Sequence, residues 1–415
     1  MKKYTLIGPI KQLISMDGLS LKGALKDEEI PVIDDAGILM DGENIHSIGS
    51  YSNLKEIGNN YNAEIIELQS DYVCLPGLID AHTHICFSGS RANDYAMRNS
   101  GKSYLEIAKA GGGIWDTVTN TRTASQDELC HSVVKRANNL LKNGITTVEV
   151  KSGYGLSVQE ELKMLRAIKE ASLNIESDLI PTCLAAHMLP KDYDGNHQEY
   201  LNEIATTLFP ILKTEKLTNR IDAFIEQSAF TKENIKPYFE KAIEMGFDIT
   251  VHADQFTTGG SEIAVEIKAI SADHLEASTD NEIKALAESD VISVALPGAS
   301  IGLGCDFTPA RKILNAGGAL AIASDWNPGS APMGDLLTQA CILGTFQKLS
   351  NAEVLAGITY RAAAALKLED RGKLAPKMIA DFCLFPIDNY NEILYNQGKL
   401  TPSQVWKRGE IVYSK

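Results

Sequence analysis

The sequence predicts an α/β fold: a (β/α)8 TIM-like barrel carrying a small composite β-sandwich domain built from both chain ends. Three observations predict it. From about residue 78 onward, short β-rich runs alternate with helical patterns, and there are eight such runs. The helical patterns open with Ser/Thr-x-x-Glu sequences, in which hydroxyl and carboxylate each satisfy a backbone N–H left over at a helix start. Both ends of the chain, by contrast, are rich in strand patterns and poor in helical ones.

Taken in order, two apolar runs at 37–40 and 45–49 flank the turn-forming Asp41-Gly42-Glu43-Asn44, which reads as a hairpin. Barrel strands are expected at 78–85, 147–151, 179–186, 223–226, 248–252, 269–274, 291–296 and 320–324. Helix starts between them are expected at Ser103/Glu106, Ser125/Glu128, Ser157/Glu160, Thr279/Glu282 and Ser350/Glu353. Strands separated by helices pair in parallel through right-handed crossovers, and eight of them close into a barrel. Strand patterns return at 380–385 and 405–413, with a turn near Gly409. The expected division is therefore 1–75 and 366–415 for the two parts of the β domain and 76–365 for the barrel.

Composition narrows the function. The chain has 415 residues, 54 acidic and 39 basic side chains, and a net charge of −15. Neutralising phosphates needs a basic face and none stands out, so no nucleic-acid partner is expected. No apolar run reaches the ~18 residues of a spanning helix, and the start, Met1 to Pro9, lacks an apolar leader core. The expectation is a cytoplasmic protein without membrane contact. Its seven cysteines show no C-x-x-C pair and mostly lie in apolar stretches, as reduced core thiols do.

The chemistry centres on Asp80-Ala81-His82-Thr83-His84 at the end of the first barrel strand. Residues two apart on a strand share a face, so both imidazoles are expected to enter the barrel mouth. His187, His252 and His274 each follow a predicted strand, and Asp325 follows the last one. Five of the eight histidines and one aspartate thus converge on the rim where barrel enzymes keep their catalytic groups. His46, His131 and His197 fall outside the pattern and read as packing or surface residues. Three imidazoles and a carboxylate around a metal ion leave a position open for water, whose pKa such an ion lowers from 15.7 to about 7. Metal-assisted hydrolysis or deamination is the predicted chemistry. Gly111-Gly112-Gly113 lacks the P-loop lysine and reads as a helix C-cap followed by a mobile loop.

Longer stretches sharpen this. Pro76-Gly77-Leu78-Ile79-Asp80-Ala81-His82-Thr83-His84, Ser88-Gly89-Ser90-Arg91-Ala92-Asn93-Asp94-Tyr95 and Ala108-Lys109-Ala110-Gly111-Gly112-Gly113-Ile114 stand in the first half of the chain, with Glu149-Val150-Lys151-Ser152-Gly153-Tyr154-Gly155-Leu156. Ser271-Ala272-Asp273-His274-Leu275 and Ser324-Asp325-Trp326-Asn327-Pro328-Gly329-Ser330 follow. With these motifs the sequence resembles the metal-dependent amidohydrolases and, within them, the imidazolonepropionase family.

The resemblance implies hydrolysis of the ring amide of 4-imidazolone-5-propanoate, giving N-formimino-L-glutamate in histidine degradation. It implies one Zn²⁺ or Fe³⁺ per subunit, held by His82, His84, His252 and Asp325. Water activated there would attack the ring carbonyl, with Asp325 as proton shuttle and His274 orienting water or stabilising the oxyanion. Arg91 would take the propanoate, because its planar guanidinium suits a carboxylate. His187 would bind the imidazolone, and Tyr154 would reach it from a flexible Gly-Tyr-Gly loop. Gln255, which cannot act as a base, would be a hydrogen-bonding contact, and the orientation of Asp254 stays open. Asn327, Gly329 and Ser330 would offer backbone N–H groups and a hydroxyl, as nests do. Lys151 lies on the second strand, not the fourth from which a carboxylated lysine bridges two metals in other amidohydrolases, so one metal is expected. The partner is a small anionic molecule, and the expected assembly is a homodimer. Another cyclic amidohydrolase, or a heteroaromatic aminohydrolase, would share this ligand set.

Overall fold

The computed structural model describes residues 4–227 and 229–415. The chain opens with a meander of β1 (Tyr4–Ile14), β2 (Val32–Asp41) and β3 (Asn44–Ser50), each antiparallel to the last. The turn between β2 and β3 falls where the hairpin pattern placed it, with Gly42 at φ 61°. Next, β4 (Glu64–Glu67) and β5 (Val73–Pro76) both run parallel to β1, β4 beside its first half and β5 beside its second.

One residue after β5 the barrel begins. Its strands are β6 (Leu78–Asp80), β7 (Ile145–Lys151), β8 (Asp178–Ala186), β9 (Arg220–Ala223), β10 (Asp248–Ala253), β11 (Ser271–His274), β12 (Ile292–Ala295) and β13 (Leu320–Ile322). They pair in parallel in chain order. All eight predicted strands exist; most bounds move by no more than two residues, but two strands shift further. The first ends at Asp80, so both histidines of the motif lie beyond the regular strand. The fourth begins at Arg220, and Phe224 and Ile225 make only single bridges, to His252 and Phe230.

The circle closes at the catalytic rim. Thr83 bridges Trp326, Asp325 N–H donates to His82 O at 3.0 Å, and His84 N–H donates to Trp326 O at 2.9 Å. Two candidate metal ligands therefore sit on one backbone hydrogen bond. Helices around the barrel start largely as predicted: Ser125/Glu128, Thr279/Glu282 and Ser350/Glu353 are reciprocal boxes, and Ser103 and Glu106 also bond reciprocally. Ser157 caps its helix alone, because Glu160 turns to Lys163 instead.

The chain end completes the first sheet. Strand β14 (Phe382–Phe385) lies antiparallel to β5, and the hairpin of β15 (Gln404–Lys407) and β16 (Glu410–Ser414) extends it. The eight-stranded mixed sheet curls so that its two wings share one core, Ile38 and Met40 from one wing with Phe382 and Trp406 from the other. The end hairpins meet closely enough that a Cβ on Gly409 would stand 2.6 Å from Gly42 O. Below the barrel, Arg371, Lys407 and Arg408 from the C-terminal part converge on Asp178 at the start of β8.

Candidate active site

Strands β6 and β10 aim three imidazoles at one point. His82 Nε2 and His252 Nε2 stand 3.2 and 3.3 Å from His84 Nε2. Asp325 Oδ1 completes the group, 3.6 Å from His82 Nε2 and 3.5 Å from His84 Nε2. The outer nitrogens of two rings face carboxylates: His82 Nδ1 is 2.7 Å from Asp273 Oδ2, and His252 Nδ1 is 2.9 Å from Asp222 Oδ2. An imidazole whose Nδ1–H is given to a carboxylate presents a lone pair at Nε2. Ring nitrogens converging in this way suit a cation. Burial holds His82 and His84 well below the ordinary histidine pKa and brings His252 down to about 3, so the rings are neutral, as ligation requires. Among the described residues, His82, His84 and His252 form a buried group able to hold a metal, and the donor set fits one.

Beneath this layer lies a buried charge network that sequence reading missed. Lys151 Nζ lies 2.8 Å from Glu149 Oε1, 2.8 Å from Asp222 Oδ2 and 3.9 Å from Asp273 Oδ2. Burial opposes its charge, but Asp222, Glu149 and Asp273 outweigh that and raise its pKa. Lys151 is an ammonium supporting the carboxylates behind the histidines. Asp273 had been visible within its motif. Asp222 carried no signal: it precedes the strand expected at 223–226 and falls inside the observed β9.

Above the histidines opens a cavity of about 700 Å³. All of the predicted substrate contacts line it: Arg91, Tyr154, His187, Gln255, Asn327, Gly329 and Ser330, together with His274 and Asp325. His274 sits at φ 85° and Asp325 at φ 52°, where the chain turns sharply out of β11 and β13. Although burial opposes it, Glu276, with Oε1 3.4 Å from His274 Nδ1, raises the pKa of His274. Glu276 is a second residue that sequence reading missed. His187 Nδ1 lies 2.9 Å from Gly153 O and so donates to it, which leaves Nε2 as an acceptor. Burial brings His187 down to about 4. Asp325 is bifunctional in geometry: Oδ1 joins the imidazoles, and Oδ2 lies 3.5 Å from Ser330 Oγ on the cavity side.

Two expectations change, the nest and the flexible loop, and the surroundings of Arg91 and Asp254 become defined. The Asn327–Ser330 loop does not present a nest, because Asn327 Oδ1 already accepts from Gly329 N–H and Ser330 N–H, both at 2.8 Å. Arg91 is not wholly free: its Nε donates to Asp94 Oδ2 at 2.6 Å, leaving the outer nitrogens for a ligand. Asp254 turns away and accepts from Ser261 N–H and from the Ser261 and Ser278 hydroxyls. The Gly153–Leu156 turn is pinned, not flexible, with the N–H groups of Gly153, Gly155 and Leu156 on Glu161. Around the rim, Arg98 and Lys102 also line the cavity, as does Cys305, the exposed one of the seven thiols. Gly111 and Gly113 take positive φ as the chain passes from one helix to the next, and Gly113 N–H donates to Asp94. His46 and His197 pack against Tyr4 and Phe230, and His131 is an exposed helix residue.

Comparison with known proteins gives the family. Residues 73–412 match the model of the amidohydrolase family. Imidazolonepropionase from Pseudomonas aeruginosa (strain UCBPP-PA14) is 40% identical over 392 residues, 94% of this chain and 96% of that protein. The chain belongs to the imidazolonepropionase family. The enzyme of the same name from Acinetobacter baumannii (strain AB307-0294) is 38% identical over 391 residues, 94% of this chain and 96% of that one. In fold, the chain is similar to atrazine chlorohydrolase TrzN from Arthrobacter aurescens TC1 complexed with zinc, with a TM-score of 0.73 at 16% identity, covering 99% of this chain and 95% of that one. Family membership makes the chain a metal-dependent hydrolase acting on cyclic amide C–N bonds. No helix among the described residues is long and apolar enough to cross a membrane.

Proposed function

We propose that the chain hydrolyses the ring amide of 4-imidazolone-5-propanoate to N-formimino-L-glutamate, in the cytoplasm. The observation that carries this reading is the disposition of Asp325, one oxygen at the imidazole cluster and the other facing a cavity that also holds Arg91, Tyr154 and His187. A small cyclic amide with a carboxylate tail needs both a hydrolytic centre and a cation within one cavity.

On this reading His82, His84, His252 and Asp325 hold one Zn²⁺ or Fe³⁺, since imidazole and carboxylate ligands suit either. When bound, the ion supplies acidified water and polarisation of the carbonyl. The outer nitrogens of Arg91 take the propanoate, and Tyr154 stands near both Arg91 and Asp325. His187 Nε2 accepts from a ring N–H, and the Gln255 amide orients the ring. Asp325 Oδ2 takes a proton from the attacking water and delivers it to the ring nitrogen as the C–N bond breaks. His274, held by Glu276 at Nδ1, donates toward the oxygen that gains charge. Asn327 acts by shaping the loop that carries Ser330.

The test is a direct assay with freshly generated imidazolone propanoate, following loss of its ultraviolet absorbance with and without chelator. Chelator-sensitive turnover supports the reading. A purified protein that deaminated a heteroaromatic amine and ignored the imidazolone would overturn it. Metal analysis of the same preparation decides between zinc and iron.

A further inference from the structure

The segment that carries Tyr154 into the cavity is held by an unusual concentration of bonds. Glu161, a fully buried carboxylate on the helix Val158–Ala171, spends both oxygens on it. Its Oε2 accepts from Gly153 N–H at 3.0 Å, and its Oε1 accepts from Gly155 N–H and Leu156 N–H, both at 2.8 Å. Arg122 holds the other side of the same peptides: its Nε donates to Gly155 O at 2.7 Å and its Nη2 to Leu156 O at 3.2 Å. A third carbonyl of the segment, Gly153 O, accepts from His187 Nδ1. The close fit requires glycine, since a Cβ on Gly155 would stand 2.6 Å from the Glu161 backbone nitrogen.

Arg122 also reaches a second segment. Its Nη1 donates to Asp192 Oδ2 at 2.6 Å, five residues beyond His187, and its guanidinium lies 5.3 Å from the Trp115 ring. The backbone around Tyr154 and the stretch following His187 are therefore tied to one side chain. Burying a carboxylate is costly unless its lone pairs are filled, and here all three identified backbone partners belong to one turn beside the cavity.

We propose that Glu161 and Arg122 are positioning residues for hydrolysis, fixing the Tyr154 hydroxyl and the His187 ring where substrate meets them. The inference rests on the substrate reading above, in which Tyr154 and His187 contact the imidazolone. Neither Glu161 nor Arg122 lines the cavity, so each acts through the loop.

The experiment is steady-state kinetics of the metal-loaded protein with imidazolone propanoate for Tyr154→Phe, Glu161→Gln, Arg122→Met, Arg122→Lys and the double variant Tyr154→Phe/Glu161→Gln, with metal content measured in each. A misplaced contact costs catalysis steeply, so Glu161→Gln and Arg122→Met should each lower kcat/KM about tenfold or more at unchanged metal content. The double variant should lose no more than its worse parent, because both changes remove the same contact. Lysine cannot span two carbonyls and Asp192, so Arg122→Lys should resemble Arg122→Met. If Glu161→Gln does not fold, the partly exposed Arg122 variants carry the test alone. Rescue by Arg122→Lys, full additivity in the double variant, or an unchanged Glu161→Gln overturns the proposal while leaving the substrate reading intact. Full activity in Tyr154→Phe overturns the reading of Tyr154 and the proposal with it.

Discussion

Asp222 Oδ2 stands 2.9 Å from His252 Nδ1, and the same oxygen lies 2.8 Å from Lys151 Nζ. One buried carboxylate thus joins a ligand imidazole to a buried ammonium. Partners of this kind orient the ring and raise its basicity. Asp222→Asn should weaken cation binding by about 10- to 100-fold, measured by chelator competition. An unchanged affinity would remove Asp222 from the metal site.

Arg91 lines the cavity and has its Nε on Asp94. A charged hydrogen bond made equally in ground and transition states lowers KM without altering kcat. Arg91→Met should therefore raise KM by tenfold or more, from roughly 1.5–3 kcal/mol of charged hydrogen bonding, with kcat little changed. Saturation curves decide it, and a fall in kcat alone would count against the anchoring role.

Arg98 donates to Gly302 O at 2.8 Å and to Gly329 O at 3.4 Å, so its hydrogen bonds go to carbonyls. With a net charge of −15, the chain repels an anion at long range, and cations at the cavity must reverse this locally. Arg98→Gln should lower kcat/KM and flatten its dependence on ionic strength. Identical salt curves for the two proteins would show that Arg98 has no electrostatic part.

Gly302 lies against the loop that carries Asn327 and Ser330. A Cβ there would meet Ser330 O at 1.6 Å, an impossible contact unless the loop moves. Gly302→Ala should lower kcat/KM at least tenfold, with the metal retained by the three imidazoles, which stand on other segments of the chain. Wild-type kinetics in this variant would mean that the loop tolerates displacement.

Asp178 ties the barrel base to the C-terminal strands. Burial pushes its pKa up, but Lys407, Arg408 and Arg371 overcome this and hold it at about 2. Its folded pKa lies below the ordinary 3.8, so its stabilisation is complete above about pH 5 and is lost as pH falls through about 2. The shift is worth roughly 2 kcal/mol. Asp178→Asn should cost about that much at pH 7 by urea denaturation, and the difference from wild type should shrink toward pH 3. A difference that grew on acidification would contradict the linkage.

Much of the architecture was legible because it is written locally. Strand patterns, helix caps and the β2–β3 turn depend on residues a few positions apart, and they appear where the pattern placed them. The exceptions are instructive. Phe224 and Ile225 read as strand by composition, but beyond Ala223 they make only single bridges, to His252 on β10 and to Phe230 in the loop that follows. The gathering of His82, His84, His252, His274 and Asp325 was also legible, because strand ends of one parallel barrel must share a rim.

The sequence alone therefore determined the barrel, the composite sheet and the gathering of five histidines and Asp325 on one rim, since each follows from short-range periodicity together with the geometry of parallel strands. Only the tertiary structure decided how those groups are supported and which are free to act. Asp273 meets His82 across 191 residues of chain, and Lys151 gathers carboxylates from three strands. The amides of Gly329 and Ser330 are consumed within their own turn, and Asp254 points away from the cavity. Such choices depend on where side chains point once packed, and in a buried site the low dielectric makes the partner of each charge decisive. No local pattern records that partner.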